Sequence, residues 1–497
     1  MPERLHSTLP LAESFEAGYL EFNGILPLAI VGDRLRVAVL GEPAVEVLDD
    51  LELSFGVPLD LVPVTAEELS EGIRRTFGAA ENVVELVRDL NESVSPAGEG
   101  PDAPLADARD LANQPPVIRF VNLLIREAYE ARASDIHLES AREGMRARFR
   151  VDGVLSEVPS PPKGLQAAVV SRVKLLADLD IAERRVPQDG RIRVRLEERE
   201  LDLRVSTVPT LYGESVVLRL LDRGGRPVAL AELGMAPETL AAFQGLAERP
   251  HGLILATGPT GSGKTTTLYA ALGLRHPTAE KIITVEDPVE YHLEGITQVP
   301  VNAKAGMTFG SALRSILRQD PDVLMIGEMR DPETAQLAIQ AAITGHLVFS
   351  TLHTNDAVGA LARAINLEVK PYLVSAALDG VLAQRLARRT CPECRERYKP
   401  DPAAVALLAG KPVGRTVLER GRGCAKCRET GYHGRTGLFE LLVLGEEARQ
   451  AFSRVEDVPR LREMAREQGM VTLREDGWRK VQAGLTTVEE VLRVVQE

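Results

Sequence analysis

Eight consecutive residues, Gly258-Pro259-Thr260-Gly261-Ser262-Gly263-Lys264-Thr265, constrain this chain more than any others. They fit the pattern G-x-x-x-x-G-K-[ST], and the surroundings fit as well as the letters. Upstream, Gly252-Leu253-Ile254-Leu255-Ala256-Thr257 reads as a buried strand, and downstream Thr266–Leu272 reads as a helix. Glycines let such a loop curl so that backbone N–H groups point inward at a β-phosphate. Lys264 then reaches the β- and γ-phosphates, the Thr265 hydroxyl ligates Mg²⁺, and Thr266 on the first helical turn joins residues 258–265 as the expected nucleotide-binding set. A glycine-rich loop matching by accident has no reason to lie between a strand and a helix. The expected ligand is a nucleoside triphosphate.

The 497 residues predict three or so domains. Hydrophobic residues make up 44%, enough for several cores, while aromatics reach only 4% and Trp478 is the single tryptophan. No apolar run approaches the roughly 18 residues of a membrane span, and the N-terminus lacks a signal-peptide layout. A soluble, cytoplasmic protein is expected. Charge is uneven: residues 1–112 hold 22 acidic and 7 basic side chains, and no lysine precedes Lys163. An acidic front module argues against nucleic acid as its partner, leaving a docking face or a solvated surface.

Residues 1–92 read as a small α/β module, with strands over Ile25–Ile30 and Arg34–Leu40 around the turn Gly32-Asp33. Thr65 and Glu68 sit at capping-box spacing. Residues 93–114 have the Ser/Pro/Gly/Asp composition of a linker. Residues 115–227 read as an α+β domain, opened by a helical stripe at 117, 118, 120, 121, 124, 125 and 128 and followed by alternating strands. From 228 to 497 strands and helices alternate, which predicts a largely parallel sheet covered on both faces. Within it, 383–437 is set apart by cysteines, and 438–497 is expected to be helical.

A P-loop needs an acid on a neighbouring strand. Val323-Leu324-Met325-Ile326-Gly327-Glu328 ends a buried run in Glu328, placed to hold Mg²⁺ through water or to polarise the attacking water. Ile282-Ile283-Thr284-Val285-Glu286-Asp287 offers Glu286 for either role. Each alone also fits a solvated loop acid; two such ends after one P-loop favour catalysis. Leu347–Leu352 leads into His353-Thr354, polar residues at a third strand end, where His353 is either structural or a γ-phosphate sensor.

These segments occur here in an order that resembles the secretion ATPases, the hexameric motors of type II secretion and type IV pilus assembly. The resemblance spans roughly 113–497. It includes Ser134-Asp135-Ile136-His137-Leu138, Thr284–Glu290, Leu317–Asp322, Gly327–Asp331 and the histidine segment. It implies a RecA-like ATPase domain preceded by a PAS-like α+β domain, with Glu328 and Glu286 as the acidic machinery. It further implies arginines brought to the nucleotide from another domain or subunit; the matching positions are Arg204, Arg219 and Arg314. A guanidinium on the transferring phosphoryl group accelerates hydrolysis by about 10³–10⁵, and supplying it from another domain makes closure a condition of turnover. Without the resemblance, Arg204 and Arg219 read as surface strand residues in salt bridges.

Cys391-Pro392-Glu393-Cys394 and Cys424-Ala425-Lys426-Cys427 are two C-x₂-C knuckles, indicating a closed structural Cys₄ Zn²⁺ site. The 29 residues between the knuckles exceed the usual spacing, but loop-closure entropy adds only about 0.4 kcal/mol. Two disulfides do not suit a reducing compartment, a thioredoxin-like pair lacks its fold context, and His433 is an available but unneeded ligand. Residues 383–435 carry 13 basic and 5 acidic side chains, a surface suited to anionic lipid, to an acidic partner, to nucleic acid or simply to solvent.

The resemblance therefore implies an ATP-hydrolysing homohexamer that uses ATP, Mg²⁺ and structural Zn²⁺, peripheral on the inner membrane. The retraction branch usually lacks the tetracysteine segment, and the pilus-extension branch usually carries a longer front region. The short front module resembles that of type II secretion motors, where it binds a bitopic inner-membrane protein while the ring works on a polytopic platform protein. Type IV pilus extension is the alternative within the family. A DNA translocase with the same engine would need a basic groove with stacking aromatics; the scarcity of aromatics and the acidic front speak against it, and no nucleic acid is expected.

Overall fold

The computed structural model describes residues 7, 9, 15, 17–41, 43–77, 83–93, 112–196, 199–222, 228–412, 414, 416–454 and 458–495. Most of the expected linker, residues 94–111, lies outside them. The chain divides into two compact units, Met1–Leu221 and Asp222–Glu497.

The first unit contains two cores. Strands Ile25–Val31 (β1), Arg34–Val39 (β2) and Leu59–Pro63 (β3) form a small sheet in the order β1-β2-β3. The first pair is antiparallel across the Gly32-Asp33 turn; the second is parallel, with the Val45–Phe55 helix in the crossover. Leu20, Leu26, Leu35, Val37, Leu51 and Ile73 fill the core beneath it. The helix Ala66–Phe77 starts as its sequence predicts: the Glu68 amide donates to Thr65 Oγ1 at 3.2 Å, and the Thr65 amide to Glu68 Oε2 at 2.9 Å.

The second core lies under an antiparallel sheet of Ala133–Ala141 (β4), Gly144–Val151 (β5), Val154–Val158 (β6), Gln188–Leu196 (β7), Arg199–Thr210 (β8) and Gly213–Asp222 (β9), in the order β6-β5-β4-β9-β8-β7. The helix Pro115–Glu130 buries Val117, Ile118, Phe120, Val121, Leu124, Ile125 and Ala128, the whole predicted stripe. The Val83–Ser93 helix, which the sequence groups with the front module, packs Val83, Leu86 and Leu90 into this second core instead. Its stripe is apolar, and the Pro115–Glu130 helix offers it a partner.

The second unit is built on Gly252–Thr257 (β10), Ile282–Glu286 (β11), Thr297–Pro300 (β12), Val323–Ile326 (β13), Leu347–Leu352 (β14), Leu378–Thr390 (β15) and Tyr432–Val443 (β18). The short pair Arg395–Tyr398 (β16) and Leu418–Gly421 (β17) lies between the last two. Sheet order is β12-β11-β13-β14-β10-β15-β18, parallel except for β15 with β18. Leu253, Leu255, Val285, Leu324, Ile326 and Val348 join one core. Their alternates Ile254, Ala256, Ile282, Val323, Met325 and Phe349 join the other. Burial on both faces is why these strands read as continuous apolar runs rather than alternating ones. The tail expected to be helical from 438 begins as strand up to Val443, because β15 leaves an edge that 432–443 pairs with; helices follow at Glu446–Arg454, Val458–Glu467, Leu473–Gln482 and Val488–Val494.

Candidate nucleotide site and cysteine cluster

Parallel pairing gathers the chemistry. Thr257 is opposite both Leu352 and Ala383, Ile326 is opposite Ser350, and Val285 is opposite Ile326. The carboxyl ends of β10, β11, β13, β14 and the middle of β15 therefore share one edge, the usual ligand edge of an open α/β sheet. Gly258, Glu286, Glu328, His353 and Gln384-Arg385 all emerge there.

The loop needs its glycines for space. A Cβ on Gly258 would come 2.5 Å from the Gln384 carbonyl oxygen, and one on Gly263 would come 2.8 Å from Gln384 Nε2. Pro259, Thr260 and Gly261 are exposed, while Thr265 and Thr266 are half-buried on the first turn of the Lys264–Leu272 helix. Lys264 is 8% exposed and donates to the carbonyls of Gly258 (2.8 Å) and Pro259 (3.0 Å). Burial pushes its pKa down to about 8; Glu328 opposes that shift and Arg385 adds to it. Ser262 Oγ is buried with no partner among the described residues. An orphaned hydroxyl beside a desolvated ammonium, in a loop at a helix N-terminus, fits a polyphosphate.

The two acids differ. Glu328 is held at 2.6 Å by Arg330 and at 3.4 Å by His353 Nε2, itself 48% exposed. Glu286 is 2% exposed, and its oxygens accept from the Tyr269 hydroxyl, from Thr284 Oγ1 (2.5 Å) and from Gln298 Nε2 (3.2 Å). Burial drives the Tyr269 phenol far above its usual pKa, with the Glu286 bond adding to it, so that proton stays on tyrosine. Glu286 thus has its lone pairs engaged, whereas Glu328 faces polar, accessible partners and the electrostatic reach of Lys264.

Arg204 and Arg219 lie on the neighbouring strands β8 and β9 of the first unit. Arg219 is 57% exposed, and its Nε donates to Asp135 Oδ1 at 2.9 Å. Arg314 belongs to the second unit, on the helix Phe309–Ile316, and pairs with Glu333. Within the second unit, then, the nucleotide edge gathers the P-loop, Glu286, Glu328 and His353.

Two residues at this edge escape sequence reasoning. Gln384 accepts from Thr267 Oγ1 at 2.7 Å, and Arg385 donates to the Asn355 carbonyl at 2.9 Å. The available signal was a polar pair inside the otherwise apolar run Gly380–Leu386, costly in a buried strand unless it has a task.

The four cysteines converge as their spacing predicts, with all four sulfurs within 4.8 Å of one another. Cys391–Cys424, Cys394–Cys427 and Cys424–Cys427 lie at 3.9, 3.8 and 3.7 Å. Tetrahedral zinc with bonds of about 2.3 Å has sulfur–sulfur edges of about 3.8 Å. Burial raises the Cys394 thiol. Burial opposes ionisation of Cys427 too, but the amides of Cys424 (3.2 Å) and Gly431 (3.3 Å) outweigh it and hold that pKa down. The donor set fits a zinc ion.

Residues 110–493 match the family model described as type II/IV secretion system protein. Type II secretion system protein E of Pseudomonas aeruginosa is 50% identical over 83% of this chain and 82% of its own length. Its counterpart in Xanthomonas campestris pv. campestris is 45% identical over 98% of this chain and 86% of its own. Type IV pilus assembly ATPase PilB of Myxococcus xanthus is 41% identical over 94% and 83%. Among solved structures, the pilus retraction motor PilT with bound ADP superposes with a TM-score of 0.51 at 26% identity, covering 74% of this chain and 95% of its own. The chain is an ATPase of the type II/IV secretion system protein family.

Proposed function

We propose that this protein is the motor that hydrolyses ATP to ADP and phosphate to drive pseudopilus assembly in type II secretion. The carrying observation is the single sheet edge where the P-loop, Glu328 and His353 meet. In this reading the loop amides, Lys264 and Ser262 hold the phosphates, and Thr265 and Glu328 hold Mg²⁺. Bound Mg²⁺ supplies neutralisation of charge on the transferring phosphoryl group. Glu328 polarises the attacking water, His353 orients Glu328, and Glu286 braces the edge through Tyr269. Arg204, Arg219 and Arg314 complete the charge on closure, within a homohexamer.

The cysteine cluster holds Zn²⁺ structurally. Around it Arg397, Lys399, Lys411, Arg422 and Arg428 are exposed, which suits an acidic phospholipid surface. The front module, residues 1–92, docks on a bitopic inner-membrane protein, and the ring acts on a polytopic platform protein. That arrangement makes the protein cytoplasmic and peripheral on the inner membrane; no helix among the described residues is long and apolar enough to cross it. The PilB likeness favours type IV pilus extension as the second reading.

Steady-state turnover of Glu328→Gln against wild type tests the hydrolysis reading, with a fall of at least about tenfold expected. Unchanged turnover would mean a nucleotide-binding scaffold. Pull-down of the full-length chain by the cytoplasmic part of the bitopic protein separates secretion from pilus extension.

A further inference from the structure

The turn after β14 is tethered one residue at a time to different elements. His353 meets Glu328, after β13. Thr354 exchanges hydrogen bonds with Thr257 at the end of β10, 2.6 Å between hydroxyls and 2.9 Å from the amide. The Asn355 carbonyl accepts from Arg385 on β15. Asp356 caps the Ala357–Asn366 helix and pairs with Arg462 of the Val458–Glu467 helix. The Ala357 amide donates to Glu440 on β18 at 2.8 Å.

Arg385 is the expensive tether. It is 8% exposed within a buried strand, and its hydrogen bonds run to the backbone carbonyls of Gln384 (3.1 Å) and Asn355 and to Asn355 Oδ1 (3.5 Å). Among the described residues it forms no direct ion pair; Glu440 and Asp356 offset its charge only at longer range, and burial lowers its pKa. An aliphatic side chain would fill this place without desolvating a cation. Moreover, a Cβ on Gly258 would lie 3.1 Å from Arg385 Nη1, so the guanidinium rests against the first P-loop residue while gripping the histidine turn.

We propose that Arg385 is a positioning residue for phosphoryl transfer: by fixing the Asn355 carbonyl beside Gly258, it keeps His353 on Glu328 and Thr354 on Thr257. The inference rests on the ATP-hydrolysis reading. Loss of the guanidinium removes the donor that pins the exposed Asn355 and frees the turn, while the phosphate cradle keeps its own groups. The defect therefore falls on kcat rather than on KM.

The test uses full-length, zinc-loaded protein with thermal midpoint and zinc content checked. Arg385→Gln should lower kcat about tenfold or more with KM for ATP within about threefold, and Arg385→Lys, which retains one donor for Asn355, should return kcat to within about threefold of wild type. In a His353→Ala background, Arg385→Gln should cost less than about twofold more. Unchanged kcat, a full loss persisting in that background, or a defect confined to ATP affinity would each overturn the proposal, the last by making Arg385 a direct nucleotide contact. Should the Gln variant not fold, Arg385→Met leaves no buried polar group and serves in its place. Amide exchange over residues 353–357 should quicken in the variants, and unaltered exchange would also sink the idea. That readout is independent of turnover, so an inactive wild type would remove the hydrolysis reading while this restraint is still measured.

Discussion

The P-loop lies against β15 and the cysteine cluster begins where β15 ends, yet they dispose their donors in opposite ways. The four sulfurs face one another within bonding distance of a single small ion, and backbone amides close in from behind. The P-loop leaves a buried hydroxyl without a partner among the described residues and lets Lys264 lean on the loop's own carbonyls. A site for a resident ion is complete within one chain. A site for a ligand that must arrive and leave keeps exchangeable valences, and its remaining charge is expected from elsewhere.

The sharpest way to break this contrast is Lys264→Ala. Removing a preorganised cation from the transferring phosphate should lower kcat/KM by about 10²–10³ or more in an ATPase assay, with zinc content unaltered. Next comes Cys427→Ser: inductively coupled plasma analysis should show the metal lost, with a clear fall in thermal midpoint. Turnover should drop only about threefold, through β15. A collapse of activity as deep as that of Lys264→Ala would mean the two loops are one cooperative site.

Lys264 also predicts a pH effect on stability. Its folded pKa of about 8 lies below the ordinary 10.5, so between these values the unfolded chain holds a proton that the folded chain has released. Stability should therefore rise with pH across that window, relative to Lys264→Met, whose urea midpoint lacks this component. An identical pH dependence in the two proteins would show that Lys264 is not desolvated in solution. Smallest is Thr472→Ala, which removes the capping box of the Leu473–Gln482 helix, whose Thr472–Glu475 hydrogen bonds involve no residue of either loop. It should reduce unfolding free energy by about 1 kcal/mol and alter neither zinc nor turnover.

Local signals were legible wherever a short stretch carries its own physics. Thr65 and Glu68 cap their helix, seven apolar positions of 117–128 face one core, and the glycines of 258–263 make room for a cradle, all as their spacing demands. What escaped is tertiary. The grip of Arg385 on Asn355 joins residues 30 apart, and Glu286 is engaged by Tyr269 and Gln298 from two other elements. No periodicity announces such meetings. Likewise the stripe on Val83–Ser93 shows that the helix must be covered, but only the fold shows by what.

Thr390 and Tyr432 are register partners in the β15–β18 ladder, and Cys391 and Cys427 lie just beyond them. The chain thus departs from the sheet and rejoins it at one rung, after a detour over residues 391–431. Its ends are already side by side, so a short hairpin turn could close the ladder in its place, but Val405, Leu408 and Leu418 of the detour belong to the core of the second unit. Any replacement at that rung must therefore also re-cover the helices Leu473–Gln482 and Val488–Val494, against which the 402–409 helix packs.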